Sequence, residues 1–296
     1  MELMHFNGPV WRPPFEATSQ LLQVTAGCSH HRCKFCSLYG TQKFRMSPME
    51  EIEEELKVIQ VYQPRAHRVF LTGANPMVLT FNRLADIALL IRKYLRDGQP
   101  TIGCFARITD ISRKTEEELR NLRQLGFDYI SIGTESGDDD VLVRMNKGYL
   151  SADIVEQCHR LDDAGIHYNL TYLTGLAGQG LGNRNAIRTA HVFSQIHPAS
   201  VNFVSLTLFQ DSILYDEVKR GEYTPATEHE RVDELVTLIQ NLNCKTQLIG
   251  NTVSNPVTFT GGLPADRDLL IHDLQAAKAA LSEDNLEQYR MNIKSL

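Results

Sequence analysis

Three of the six cysteines in this 296-residue chain stand within nine positions, at Cys28, Cys33 and Cys36, in the spacing C-x4-C-x2-C. They follow an apolar run, Leu21-Leu22-Gln23-Val24-Thr25, that reads as a strand. Soft thiolates on one short loop point to a metal, because sulfur suits zinc and iron–sulfur clusters. A disulfide would leave one of the three odd. Two metal readings stay open on the residues alone. A zinc ion could recruit His30 or His31 as a fourth ligand. A four-iron cluster held by three cysteines keeps one iron open to a ligand that is not protein.

Other polar groups stand where strands are expected to end. Gly73-Ala74-Asn75-Pro76 is a tight turn that exposes backbone, and it serves equally as a plain strand-to-helix connection. Arg107 could clamp a carboxylate or make a surface ion pair. Glu135, in Gly133-Thr134-Glu135-Ser136-Gly137, is flanked by small residues that leave room for a ligand, though it could also cap the next helix. Asn169 interrupts an apolar strand and needs a partner if buried. A glycine-rich turn, Gly175-Leu176-Ala177-Gly178, follows it.

The elements that must position these groups alternate. Strands are expected near 20–25, 68–72, 102–106, 127–133, 167–174 and 200–208, with helices between them. Ser47, Pro48 and Glu50 predict a capping box for a helix that buries Ile52, Leu56 and Ile59; Thr115 and Glu118 predict another. Leu84, Ile87, Ala88 and Ile91 mark the inward face of a further helix. Helices opening at Ser151, over 184–197 and over 226–243 complete six strand–helix units. Such repeats make an α/β fold with parallel strands, since each crossover needs a helix to return the chain. Residues 1–19 read as an irregular arm with Trp11 as an apolar anchor, 20–243 as the core, and 244–296 as an extension: loop to about 270, with a helix over 265–281. The length suits one α/β domain, and no linker divides it.

A net charge of −6 argues against a nucleic-acid partner, and no apolar run approaches the ~20 residues of a membrane span. The remaining cysteines, Cys104, Cys158 and Cys244, are scattered, which fits a reducing, cytoplasmic setting.

Taken together, Arg12-Pro13-Pro14, Gly27-Cys28-Ser29-His30, Cys33-Lys34-Phe35-Cys36, Tyr39, Glu135-Ser136-Gly137 and Asn146-Lys147-Gly148 resemble the radical S-adenosylmethionine (SAM) superfamily. The extra residue in the cysteine spacing looks like the trait of a small single-domain subgroup. The resemblance implies a partial (β/α)6 TIM-like barrel and a [4Fe–4S] cluster on Cys28, Cys33 and Cys36, with SAM on the fourth iron. It implies reductive cleavage of SAM to a 5′-deoxyadenosyl radical that takes hydrogen from a small-molecule substrate, and an external one-electron donor of flavodoxin or ferredoxin type. Phe35, Gly73, Ala74, Asn75, Arg107, Glu135, Asn169, Gly175 and Ala177 take the cofactor-contacting places. Cys104, otherwise a small buried thiol, becomes a candidate hydrogen donor. Similar members carry Arg and His before Ser-Asn, where this chain reads Ile249-Gly250-Asn251-Thr252-Val253-Ser254-Asn255, which implies an altered substrate pocket or a variant of the usual reaction. The alternatives are a zinc-binding module, an electron-transfer iron–sulfur protein, and cleavage of a different sulfonium bond.

Overall fold

The structure, a computed structural model, describes residues 6–8, 10–40 and 42–293. Six strand–helix pairs follow one another: β1 (Gln20–Gln23) and α1 (Met49–Tyr62), β2 (Arg68–Thr72) and α2 (Phe81–Tyr94), β3 (Thr101–Ala106) and α3 (Glu116–Gln124), β4 (Phe127–Glu135) and α4 (Ser151–Ala164), β5 (His167–Thr174) and α5 (Gly182–Phe193), β6 (Ser200–Ser205) and α6 (Glu228–Asn241). Strands β7 (Thr246–Ile249) and β8 (Thr260–Leu263) and helices α7 (Arg267–Ala280) and α8 (Glu283–Met291) come after them. The fold is the expected α/β class, with mostly parallel strands and flanking helices. The chain falls into two compact units, one of Met1–His31, Leu38–Gly133 and Arg160–Tyr168, the other of Arg32–Ser37, Thr134–His159 and Asn169–Leu296.

In the first unit the strand order is β1-β2-β3-β4. The pairs are parallel, and the register sets Leu22 beside Leu71, Leu71 beside Cys104 and Cys104 beside Ile130, all fully buried. Helices α1 and α2 bury the expected faces, Ile52, Leu56 and Ile59 on one and Leu84, Ile87, Ala88 and Ile91 on the other. On the opposite face of the sheet Phe70 meets Phe105 edge-on at 5.1 Å. The N-terminal arm is anchored there by charge as well as by rings. Glu16, 1% exposed, takes Arg68 of β2 at 2.6 Å, and Arg68 also bonds Asp128 and Thr101 Oγ1. Phe15 packs edge-on to Tyr129 at 5.4 Å, while Trp11, the expected anchor, is only half-buried.

In the second unit β5, β6 and β7 are parallel and β8 is antiparallel to β7. Tyr172 and Phe203 stack edge-on at 5.8 Å on the face that α5 and α6 cover, and Tyr172 donates from there to Glu234 of α6. Asn169, Thr171 and Leu173 alternate to the other face.

Three expectations are corrected. The box at Ser47 does not form, because Pro48 is extended (φ −54°, ψ 150°) and is itself the N-cap, with no side-chain cap; Ser47 instead donates its N–H to Val24 O. The strand near 20–25 breaks after Gln23, and Thr25–Ala26 pairs with Arg45–Met46 in a separate antiparallel ribbon. The supposed loop at 244–270 contains β7 and β8, and a helix unforeseen in the sequence, α8, follows α7. By contrast, the Thr115–Glu118 box forms in full.

Removing one partner of a buried ion pair leaves a desolvated charge. Arg68→Met is therefore expected to cost about 3 kcal/mol by stranding Glu16. Adding Glu16→Gln should recover part of that loss, read as the urea midpoint of the single and double variants.

Candidate cofactor site

In the first unit the cysteine loop begins at the end of the Thr25–Ala26 ribbon. Gly27 (φ +69°) turns the chain, and a Cβ there would sit 2.7 Å from Lys43 O, so only glycine fits. Cys28 is half-buried, and its Sγ accepts the His31 N–H at 3.5 Å. Asn75 cross-links this loop to the end of β3. Its Oδ1 accepts Ser29 N–H at 3.2 Å, and its Nδ2 donates to Ser29 Oγ (2.7 Å) and Asp110 Oδ2 (2.9 Å). The Asn75 side chain is thereby spent on structure. Gly73 (φ +125°) lies against Thr25, where a Cβ would fall 1.9 Å from Oγ1, and Ala74 beside it is half-buried. Arg107 directs Nη1 to Thr109 Oγ1 (2.8 Å), and its N–H donates to Asp110 (2.9 Å). Burial raises the Asp110 carboxyl above its ordinary range and lowers the nearby Lys114 ammonium, which donates to Met77 O at 2.8 Å.

Cys104 lies on the opposite face of β3 from Phe105, fully buried. Burial, with Asp110 adding to it, pushes the thiol up from 9.0 to about 12. Those are the surroundings of a small core thiol.

The second unit holds the rest of the cysteine loop: Cys33 half-buried, Cys36 exposed. Phe35 packs on an apolar cluster that includes Val141, Met145, Leu173, Leu176 and Ala177. Glu135, at the end of β4, has φ +67°, a conformation that costs a side-chain-bearing residue of order 1 kcal/mol and persists where the surroundings enforce it. The enforcing contacts are close by. Ser136 Oγ donates to Asn185 Oδ1 (2.6 Å), the Gly137 N–H donates to Thr189 Oγ1 (2.8 Å), and a Cβ on Gly137 would meet Thr189 Cα at 2.8 Å. The Glu135 carboxylate lies 3.4 Å from Lys147 Nζ. Lys147, 3% exposed, also lies over the rings of Phe35 (5.7 Å) and Tyr149 (5.6 Å). Nothing in the sequence around Lys147 announces its burial.

Asn169 is 1% exposed, and its Oδ1 has no hydrogen-bond partner among the described residues. Gly175 (φ +83°) donates its N–H to Glu234 Oε2 at 2.8 Å and accepts from the Tyr223 hydroxyl at 2.8 Å; Ala177 is buried. Glu234 is wholly buried and also accepts from Asn185 Nδ2 (3.0 Å); burial raises its carboxyl. The sequence reading missed Glu234, although its signal was present: a carboxylate among Leu235, Leu238 and Ile239 on a helix expected to face inward.

Thus Phe35, Glu135 and Lys147 come together in one unit, and Asn75, Arg107 and Cys28 lie in the other. None of the three loop thiols is in a disulfide, and among the described residues no three His, Cys, Asp or Glu side chains are gathered into a metal-holding group. The donor set nevertheless suits an iron–sulfur cluster. It offers three thiols on one short loop, one already accepting a backbone N–H as cluster sulfurs do.

Residues 22–189 match the family described as the Radical SAM superfamily. The chain is similar to the heme chaperone HemW of Bacillus subtilis (strain 168), 22% identical over 209 residues that cover 68% of this chain and 54% of that protein. It spans about half the length of the curated HemW relatives it matches. Among solved structures it is similar to the radical S-adenosylmethionine methyltransferase TsrM from Kitasatospora setae, with a TM-score of 0.56 and 14% identity, over 69% of this chain and 37% of that one. Coproporphyrinogen III oxidase (HemN) from Escherichia coli gives a TM-score of 0.55 at 16% identity, over 75% and 51%. At these identities the structural likeness is one of fold.

The Cys104 thiol makes alkaline pH a probe of its burial. Its raised pKa means that the stability it contributes is whole below 9, the unfolded value, and is lost as pH climbs toward about 12. Stability should fall by about 1.4 kcal/mol per pH unit in that window from this group alone. Cys104→Ala should flatten the slope in urea titrations at pH 9 and above, and iodoacetamide should leave Cys104 unlabelled until the protein is unfolded.

Proposed function

The chain belongs to the Radical SAM superfamily, and from that premise we propose that it is an enzyme in which Cys28, Cys33 and Cys36 hold a [4Fe–4S] cluster and SAM binds alongside. When bound, the cluster supplies the electron that cleaves SAM to a 5′-deoxyadenosyl radical, which abstracts hydrogen from substrate. The protein's own share is to bind, orient and keep out water. The observation that carries this reading is the buried Lys147, which joins the aromatic of the cysteine loop, Phe35, to the carboxylate at the end of β4, Glu135. Glu135 is held in left-handed backbone with an oxygen aimed at a cation, a placement that fits hydrogen bonding to SAM hydroxyls or its ammonium. The unpaired Oδ1 of Asn169 supplies a second acceptor. The Gly175–Ala177 turn, fixed by Glu234 and Tyr223, offers a flat, side-chain-poor surface for the adenine. Gly73 and Ala74 offer backbone carbonyls, and Arg107 a counterion for the SAM carboxylate.

The substrate in this reading is a small molecule, the reductant a flavodoxin- or ferredoxin-type protein, and the setting cytoplasmic. No helix among the described residues is long and apolar enough to cross a membrane.

Anaerobic reconstitution with iron and sulfide should give a four-iron chromophore, and reduction in the presence of SAM should release 5′-deoxyadenosine. A protein that takes up one zinc and no iron would overturn the proposal. Replacing Cys28, Cys33 and Cys36 together by alanine should abolish iron binding. For Glu135, the glycine variant is the sharper probe. Glu135→Gly relieves the backbone strain but strands the buried Lys147 ammonium, so the melting temperature should fall, while SAM affinity by equilibrium dialysis should drop at least about tenfold for a lost charged hydrogen bond. Undiminished affinity would remove Glu135 from the SAM site.

A further inference from the structure

The segment between Cys33 and Cys36 is tied down beyond what three ligands require. The Lys34 N–H donates to Met145 O (3.2 Å), Lys34 O accepts the Leu214 N–H (2.8 Å), and Asn146 Nδ2 donates to Arg32 O (3.1 Å). The Lys34 side chain then runs to Glu217, on the helical segment Ile213–Lys219, with Nζ 2.6 Å from Oε1. The other oxygen of Glu217 lies 3.1 Å from Arg144 Nη2. The Glu217 side chain is 6% exposed, against 30% for Lys34 and 36% for Arg144.

A carboxylate withdrawn from water needs paired charge, whereas a lysine on an exposed loop has water available and no folding reason to reach inward. Arg144 has other anchors, the Glu222 carbonyl at 3.1 Å and the Tyr223 ring at 5.3 Å, so it does not depend on Glu217. The contact thus acts chiefly on the cysteine loop.

We propose that Glu217 is a positioning residue for the cluster: through Lys34 it fixes the Cys33–Cys36 segment and offsets the positive charge that Lys34 brings beside the iron and sulfide, holding the reduction potential down. This rests on the iron–sulfur reading above. Reduction adds one negative charge to the cluster. A neighbouring cation with its counter-charge removed favours the reduced form, and a lost cation disfavours it.

The test is a potentiometric titration of the reconstituted 296-residue protein, followed by the EPR signal of the reduced cluster, in wild type, Glu217→Gln, Lys34→Gln and the double variant. Glu217→Gln should raise the midpoint potential, increasing the reduced-to-oxidised ratio at fixed solution potential by about tenfold, or about 59 mV for one electron. Lys34→Gln should shift it the other way, and the double variant should return close to wild type. Single variants that keep full iron content at the wild-type potential would overturn the proposal. Should Glu217→Gln fail to fold or to hold iron, Glu217→Asp, whose shorter side chain draws the carboxylate back from Lys34, decides instead: a raised potential supports the proposal and an unchanged one overturns it. A wild-type protein that forms no cluster would instead defeat the functional reading, and that result is visible before any variant is made.

Discussion

Where a parallel strand gives way to a helix, amides and carbonyls are left that no ladder takes, and once buried they must find a partner in the protein. In this chain buried side chains meet that demand. Asp110 accepts the Arg107 N–H after β3, Thr189 accepts the Gly137 N–H after β4, and Glu234 accepts the Gly175 N–H after β5. Carbonyls are served in the same way, Met77 O by Lys114 and Leu206 O by Arg231. The strand ends where cofactor contacts are expected are therefore also the places where charge has been brought inside.

That charge is balanced locally. Burial raises Asp110 and Glu234 and lowers Lys114, and it brings Arg231 down to about 10, with Arg290 beside it adding to the effect. Arg231 still carries its proton at neutral pH, and it faces Glu228 at 3.5 Å while donating to Ser205 Oγ at 3.0 Å. The loss of any one partner leaves an uncompensated ion, which costs more than the pair is worth as a contact. Rigid strand ends follow, and rigidity is what allows Glu135 to be held at φ +67°.

What could be read from the sequence was local. The Thr115–Glu118 box and the helix faces of α1 and α2 depend on neighbours a few residues away, and they appear as read. Ser47 failed because the residue before an extended Pro48 belongs to the ribbon rather than the helix, a choice made by Val24. The β7–β8 hairpin lies where a loop was expected. Gly250 is small because the Phe259 ring occupies the place of its Cβ, at 2.3 Å, and not because the chain turns there. The chemistry was legible as motifs, but what holds the motifs was not. Glu217 lies 183 residues from Lys34, and Glu234 lies 59 from Gly175. No periodicity reports such pairs.

The segment before Ser254-Asn255 shows the converse, a residue type missing from its expected place in sequence and present there in space. That segment has no arginine, yet Arg290 of α8 reaches it from 36 positions on, with Nη1 3.3 Å from Ser254 O. The same guanidinium donates to Ser205 Oγ (2.9 Å) at the end of β6 and pairs with Glu228 at the start of α6. Glu228 in turn sits beside Arg231, so two guanidinium groups share one carboxylate and one hydroxyl. Two positive charges are thereby brought in where β6 ends and answered by Glu228 and, for Arg231, by Glu234; one of the two comes from a helix that the sequence did not announce. An arginine absent from residues 249–255 is thus present at the end of β6 after all, carried there by α8.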